Sequence, residues 1–337
     1  GHGIVLEEGL DPVALDQVRL NDNRLHQLRG HGIFVTQRVD EAIICGNLMD
    51  GMGLGALVMG DDGAFGVLRL AGNQFRNLGL ALTNNDAAYA AVQLIRVERG
   101  DVVDNLIAHV ARTALASPGI DAIRCAGVGQ LRLGGNRLLG IGPDRSSGPV
   151  CAVRVLAPFD RLALDDNSIE RLGAADQKPL VIEWRALRIG ADTANEAPGM
   201  VVTRYVAGAD AAYVLTRNRF AALPLPPGAV SVRGNQLRGH SSGAPLLHVD
   251  SVDHCLLADN HGEAVGAAGK EPLIGLVMAR TINASNNRLA ANQEQATLQL
   301  HPLLKRAIVM GNTSTGPIQV QGASVPADIN LTNIIGS

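Results

Sequence analysis

The residues best placed to do chemistry are Arg124, Arg154, Glu183 and His248, with Arg185 and Asp250 beside them. Each falls in a short stretch where apolar residues alternate with others, and each takes the outward phase of that alternation. Stacked as neighbouring strands, adjacent members would lie about 5 Å apart. An acid, an imidazole and two guanidinium groups at that spacing suit proton transfer or the grip of an anionic ligand. The bland alternative is a solvated face whose charges pair with one another. The outward phase nearer the N-terminus carries Phe34 and Leu57 instead, an apolar strip of the kind that marks a packing surface. A slip of one residue would turn both inward.

Other chemistry is not signalled. The sequence has no zinc-type Cys/His spacing, no P-loop, no nucleophile elbow and no dinucleotide fingerprint, so neither a metal nor a cofactor is expected. Cys45, Cys125, Cys151 and Cys255 are far apart in apolar runs and read as small buried hydrophobes. The pairs Asp61-Asp62 and Asp165-Asp166 sit at turn signals. Of 337 residues 29 are Lys or Arg and 32 Asp or Glu, interspersed, with net charge −3. That leaves no basic footprint for nucleic acid. With 5 Phe, 3 Tyr and 1 Trp, platforms for stacking bases or sugars are scarce. Hydrophobic residues make up 46%, too many for a disordered chain. No apolar run reaches the roughly 18 residues of a membrane helix and no signal peptide is visible in this segment. A soluble protein without membrane insertion is expected, in no assignable compartment.

What would position the stripe is a repeat. The unit reads apolar-x-apolar-x-x-Asn-x-apolar, as in Val18-Arg19-Leu20-Asn21-Asp22-Asn23-Arg24-Leu25, and recurs around Asn73, Asn136, Asn167 and Asn235. Looser copies centre on Asn47, Asn105, Asn218, Asn260, Asn287 and Asn312, and most steps lie between 24 and 32 residues. The step from Asn167 to Asn218 is 51, room for an unmarked coil near Ile182 to Ile189, and the step of 17 from Asn218 to Asn235 is too short for one. Between the asparagines runs a second alternating element, such as Gly32-Ile33-Phe34-Val35 or Leu246-Leu247-His248-Val249. Each repeat therefore holds two or three extended segments, whose inward residues are buried only when coils stack. Asn suits the sharp turn between strands because it tolerates the left-handed region, and its amide can bond to the Asn of the next coil. Asp22, Asp104, Asp166 and Asp259, each just before such an Asn, strengthen the turn.

The joined pattern Gly-Ile-Phe-Val-x6-Ala-Ile-Ile-Cys-Gly-Asn, from Gly32 to Asn47, resembles a coil of the right-handed parallel β-helix, the pectin-lyase-like superfamily. The expected fold is all-β: one single-stranded solenoid over 1–337, of about twelve coils and about 60 Å long at the usual strand spacing. Loop insertions are expected near 79–91, where Ala87 to Ala91 are helix formers, and near 106–118. Gly1-His2-Gly3-Ile4-Val5-Leu6 nearly repeats Gly30-His31-Gly32-Ile33-Phe34-Val35, which suggests a segment of a longer chain. The run from Leu15 to Leu25 also fits a leucine-rich repeat, so a horseshoe is the alternative fold. No catalytic motif of the pectin-lyase-like families is recognisable. The expected function is a non-catalytic structural or interaction module with a protein partner or self-association. The resemblance implies the alternative, a polysaccharide-binding or polysaccharide-degrading enzyme using the Arg124–His248 stripe; a horseshoe would imply protein recognition.

Overall fold

Alternation of apolar and polar residues is realised as three strands per coil, stacked coil upon coil around one core. The structure is a computed structural model. It describes residues 1–7, 15–82, 89–114, 119–145, 150–156, 159–174, 177–183, 185–189, 200–204, 211–216, 219–224, 229–240, 245–250, 252–265, 272–276, 279–291, 297–300, 302–320 and 334–335, with the backbone alone over 171–224 and at a few other strand positions. In the second coil the strands are Ile33–Val35, Arg38–Cys45 and Leu48–Met52, and each pairs in parallel with its counterpart in the next: Leu57–Met59, Ala64–Ala71 and Gln74–Leu78. First and second strands together form a 19-stranded sheet, fused where Tyr89–Val103 and Ile120–Gly134 run through both; the third strands form an 11-stranded sheet. The chain is a parallel β-solenoid with no helix among the described residues. Among the described residues the third sheet has eleven strands, so the coils are fewer than the expected twelve. The horseshoe fails because the variable half of each repeat is itself a pairing strand.

The core consists of rows of like residues running through the stack. One row of the second sheet reads Ile44, Leu70, Val102, Leu133 and Leu164, all nearly or fully buried. One of the third reads Met49, Phe75, Ile107, Leu138 and Ile169. Cys125 and Cys255 take places in such rows, as expected of small hydrophobes, whereas Cys45 faces outward and is half-exposed.

Second and third strands are joined by a two-residue turn, and here the asparagines line up. Asn23, Asn47, Asn73, Asn105, Asn136, Asn167, Asn235, Asn260, Asn287 and Asn312 form one continuous ladder. In a typical rung, Asn73 donates its backbone N–H and its Nδ2 to Oδ1 of Asn105, at 3.0 and 2.9 Å, and its second Nδ2 proton to the Ile44 carbonyl at 2.9 Å. The left-handed residue is not the asparagine, as the sequence suggested, but the one before it: Asp22, Gly46, Gly72, Asp104, Gly135, Asp166, Gly234, Asp259, Asn286 and Gly311 all have φ between 54 and 68°. These positions read one another. A Cβ at Gly46, Gly135 or Gly234 would press on Oδ1 of the aspartate one coil earlier, whereas Gly72, which follows another glycine, has open space around it. Division of labour explains the Asp-Asn and Gly-Asn pairs: the first residue bends the chain, the second satisfies buried amides.

Asn167 bonds directly to Asn235, 68 residues on. Asn218 is therefore not the rung between them, and it lies outside the described residues. Residues 182–189 do not form an extra coil either. Gln177–Glu183 is the first strand of the same coil whose second strand is Ala229–Arg233. Between them the chain makes two antiparallel hairpins, Arg185–Ile189 with Met200–Arg204 and Ala211–Thr216 with Arg219–Pro224. This is the main insertion. The two smaller ones are shorter than expected: Tyr89 to Ala91 already belong to a strand, and Leu106–Val110 pairs on both sides in the third sheet.

Candidate functional site

Backbone register decides which members of the charged stripe meet. The outward row of the first sheet reads Phe34, Val58, Gln93, Arg124, Arg154, Val181, His248, Gly275 and Gln299. Arg124 and Arg154 are neighbours, as expected. Glu183 is not in this row; it pairs with Leu156 and Asp250, two residues further along. Its place beside Arg154 is taken by Val181, so the acid–base stripe does not assemble in a line. Leu57 is also displaced: it pairs with Ile33 and is fully buried, and Val58 takes the outward position. The apolar strip thus loses one of its two members by the one-residue slip that strands permit.

Phe34 is half-buried in a stack of rings, its centroid 4.9 Å from His2 and 5.2 Å from His31. The two imidazoles, 5.1 Å apart, also form a small ladder: His31 donates its backbone N–H to Nδ1 of His2 at 3.1 Å, and Gly55 donates its own to Nδ1 of His31 at 3.0 Å. An imidazole that accepts at Nδ1 must be neutral there. Burial, and then the charge of His2, push the His31 pKa down to about 4. The unfolded chain protonates His31 near its ordinary pKa of 6.5, so between about 6.5 and 4 the unfolded state binds more protons. Melting temperature is therefore expected to fall as pH drops through that window and to lose this component below it. His31→Gln should flatten the slope, and an unchanged slope would show that His31 is not the group responsible.

Arg124 and Arg154 converge on Asp121, a residue the sequence reading passed over. Its carboxylate is fully buried, and takes Nε of Arg124 at 2.5 Å and Nε of Arg154 at 3.0 Å. Arg154 also points a second nitrogen at Sγ of Cys151, 2.9 Å away, and Arg124 reaches the Tyr89 carbonyl at 3.5 Å. Both guanidinium groups are mostly buried, with side chains 18% and 14% exposed. A carboxylate without solvent needs this degree of compensation. The available signal was an aspartate in the apolar run Gly119-Ile120-Asp121-Ala122-Ile123, where a charge has no business unless it is paired. The thiol of Cys125 is pushed up by burial and then by the Asp121 charge, that of Cys255 by burial to about 12, and the Tyr89 phenol upward by burial. All three shifts keep the groups protonated, the opposite of what activates a nucleophile.

Of the remaining candidates, His248 lies in the row but is separated from Arg154 by Val181. The backbone of Glu183, Arg185 and Asp250 is placed; their side chains lie outside the described residues. The turn reading of the acidic pairs holds: Asp61 and Asp62 form the turn before Ala64, Asp166 bends the chain at φ 54°, and Asp165 lies 3.6 Å from Arg132. Among the described residues no group of three or more His, Cys, Asp or Glu is placed to hold a metal, and no helix is long and apolar enough to cross a membrane.

Fold and site together define a parallel β-solenoid with an asparagine ladder and a largely buried Asp–Arg–Arg cluster on its first sheet. No family model, curated protein or solved structure matches the chain.

Proposed function

We propose that the chain is a non-catalytic β-solenoid module, a structural or interaction segment that presents its outer faces to a partner. The observation that supports this most is the engagement of Arg124 and Arg154 by the buried Asp121 carboxylate. The two charges that would anchor an ionic substrate on the outer face of the first sheet are engaged by this carboxylate and tie adjacent coils together. The register of Val181 between Arg154 and His248 points the same way, because it separates the arginine pair from the imidazole in the first-sheet row. Long rows of core residues and a ladder of buried amides make the rod stiff, which suits a scaffold. The resemblance of the coil pattern to the pectin-lyase-like superfamily supplies the competing reading, a polysaccharide-active enzyme.

Incubation with a panel of neutral and acidic polysaccharides, followed by assay of new reducing ends and unsaturated products, separates the two. The expected result is no release above buffer. Turnover that disappears in Arg154→Lys or His248→Ala, at unchanged melting temperature, would overturn the module reading.

A further inference from the structure

A second, shorter ladder stands at the corner where a third strand leads into the first strand of the next coil. His2 and His31 occupy the same place in successive coils, and Gly55 takes it in the one after. Each imidazole accepts at Nδ1 the backbone N–H of the residue one coil on, from His31 at 3.1 Å and from Gly55 at 3.0 Å. At the opposite corner asparagine Oδ1 does the same work, with one difference. An amide oxygen accepts at every pH, whereas a protonated imidazole carries a hydrogen on both nitrogens and sets N–H against N–H. Two imidazolium rings stacked 5.1 Å apart would also repel each other.

Among the described residues no acid is placed to offset that charge; the group acting on His31 is His2, and it opposes protonation. The strands packed around the pair, Ile4–Leu6, Ile33–Val35 and Leu57–Met59, carry no ionisable side chain. Glu7 and Asp61 follow the far ends of these strands, and Arg29, two residues before His31, is an exposed cation. His26 and Asp50 pair on the outer face of the third sheet, where Asn77 donates to Asp50 at 2.7 Å.

The strand joined by this pair has little else to hold it. Ile4–Leu6 pairs with Ile33–Val35. Gly3 and Ile4 donate to the carbonyls of His31 and Gly32, both at 2.9 Å, and Thr36 donates to the Leu6 carbonyl at 2.8 Å. Ile4 and Leu6 are half-buried and Val5 is exposed, whereas Ile33, Val35 and Leu57 are fully buried. Segments that bury the least apolar surface open at the lowest free energy.

We propose that the His2–His31 pair is an acid-operated latch: protonation releases residues 1–6 from Ile33–Val35 and uncovers the edge of that strand, while the asparagine ladder stays closed. Linkage sets the direction. With the strand docked, burial and the His2 charge hold the His31 pKa at about 4, and release lets it return toward 6.5. The open form binds the extra proton, so falling pH favours it by up to about tenfold per unit inside that window. The latch goes beyond the module reading and does not depend on it.

Hydrogen exchange of the full chain between pH 7 and 4.5, read by mass spectrometry and corrected for the intrinsic pH dependence of exchange, tests it. Protection of residues 30–36 is expected to fall about tenfold between pH 6.5 and 5, while that of residues 102–110, beside the middle of the asparagine ladder, stays constant. His2→Gln/His31→Gln, which keeps side-chain acceptors that do not titrate, should abolish the fall. His26→Gln, which removes an exposed imidazole of the third sheet, should leave it intact. Should the double variant fail to fold, nuclear magnetic resonance of the parent chain decides: protonation of His31 is expected to coincide with lost protection of the Gly55 amide. Protection of residues 30–36 that ignores pH, an equal loss in every coil, an undiminished fall in the double variant, or a Gly55 amide that stays protected as His31 titrates would overturn the latch and leave the module reading standing.

Discussion

Asn136→Leu is expected to destabilise the protein by about 4 kcal/mol, through buried hydrogen-bonding groups left without partners. Asn136 is fully buried in the middle of the ladder. Its Oδ1 accepts both the backbone N–H and Nδ2 of Asn105, at 3.1 and 3.0 Å. Its Nδ2 donates to Asn167 Oδ1 at 3.0 Å and to the Val102 carbonyl at 2.8 Å. Leucine fills the volume and makes none of these bonds. Two donors of Asn105 lose their acceptor where no water reaches them, at about 1–3 kcal/mol each. The position in the ladder supplies the control. Asn23 is only half-buried, its side chain donates to Asn47 Oδ1 and the Asn21 carbonyl, and among the described residues it accepts from no earlier rung. Asn23→Leu should therefore cost about 1 kcal/mol, the usual net value of a hydrogen bond. Denaturant titration of both variants measures the difference. Equal losses would show that the ladder does not act as a chain of mutually dependent rungs.

Asp121→Ala is expected to destabilise by about 3 kcal/mol, because it strands two largely buried guanidinium groups. Arg124 and Arg154 cannot shed their charge, and their Nε atoms lie 2.5 and 3.0 Å from the carboxylate that would be removed. The triple replacement Asp121→Leu, Arg124→Met and Arg154→Met removes the charges together, and should return stability to within about 1 kcal/mol of the parent. That pattern, a large single loss restored by two further changes, is the signature of a buried ion cluster with a structural role. A triple variant as unstable as the single one would mean that the arginines have other work, as a pair facing a substrate would.

The repeat was legible because alternation and the Asn step are local properties that recur. Ten of the eleven asparagines singled out from sequence stand in the ladder, since a turn between two strands needs the same polar residue at every coil. Asn218 carries the same local signal but is not the rung between Asn167 and Asn235, which bond directly; spacing along the chain does not show which asparagines meet. Leu57 was misjudged because a run of three apolar residues, Leu57-Val58-Met59, carries no phase of its own; the phase comes from pairing with Ile33, Phe34 and Val35.

By itself, then, the sequence determined the all-β class, the strand-turn-strand unit, the residues that turn inward where polar and apolar alternate cleanly, and the position of nearly every rung. These depend on spacing along the chain. Only the tertiary structure decided which residues become neighbours between coils. Rung-to-rung distances vary from 24 to 68 residues, so two residues with the same motif position need not face each other until the strands are paired. That is why Val181, not Glu183, lies beside Arg154, and why Asp121 draws two arginines from two coils. In a solenoid the fold is a periodic property of the chain, but a surface or a charge cluster belongs to the register between coils, which backbone pairing sets.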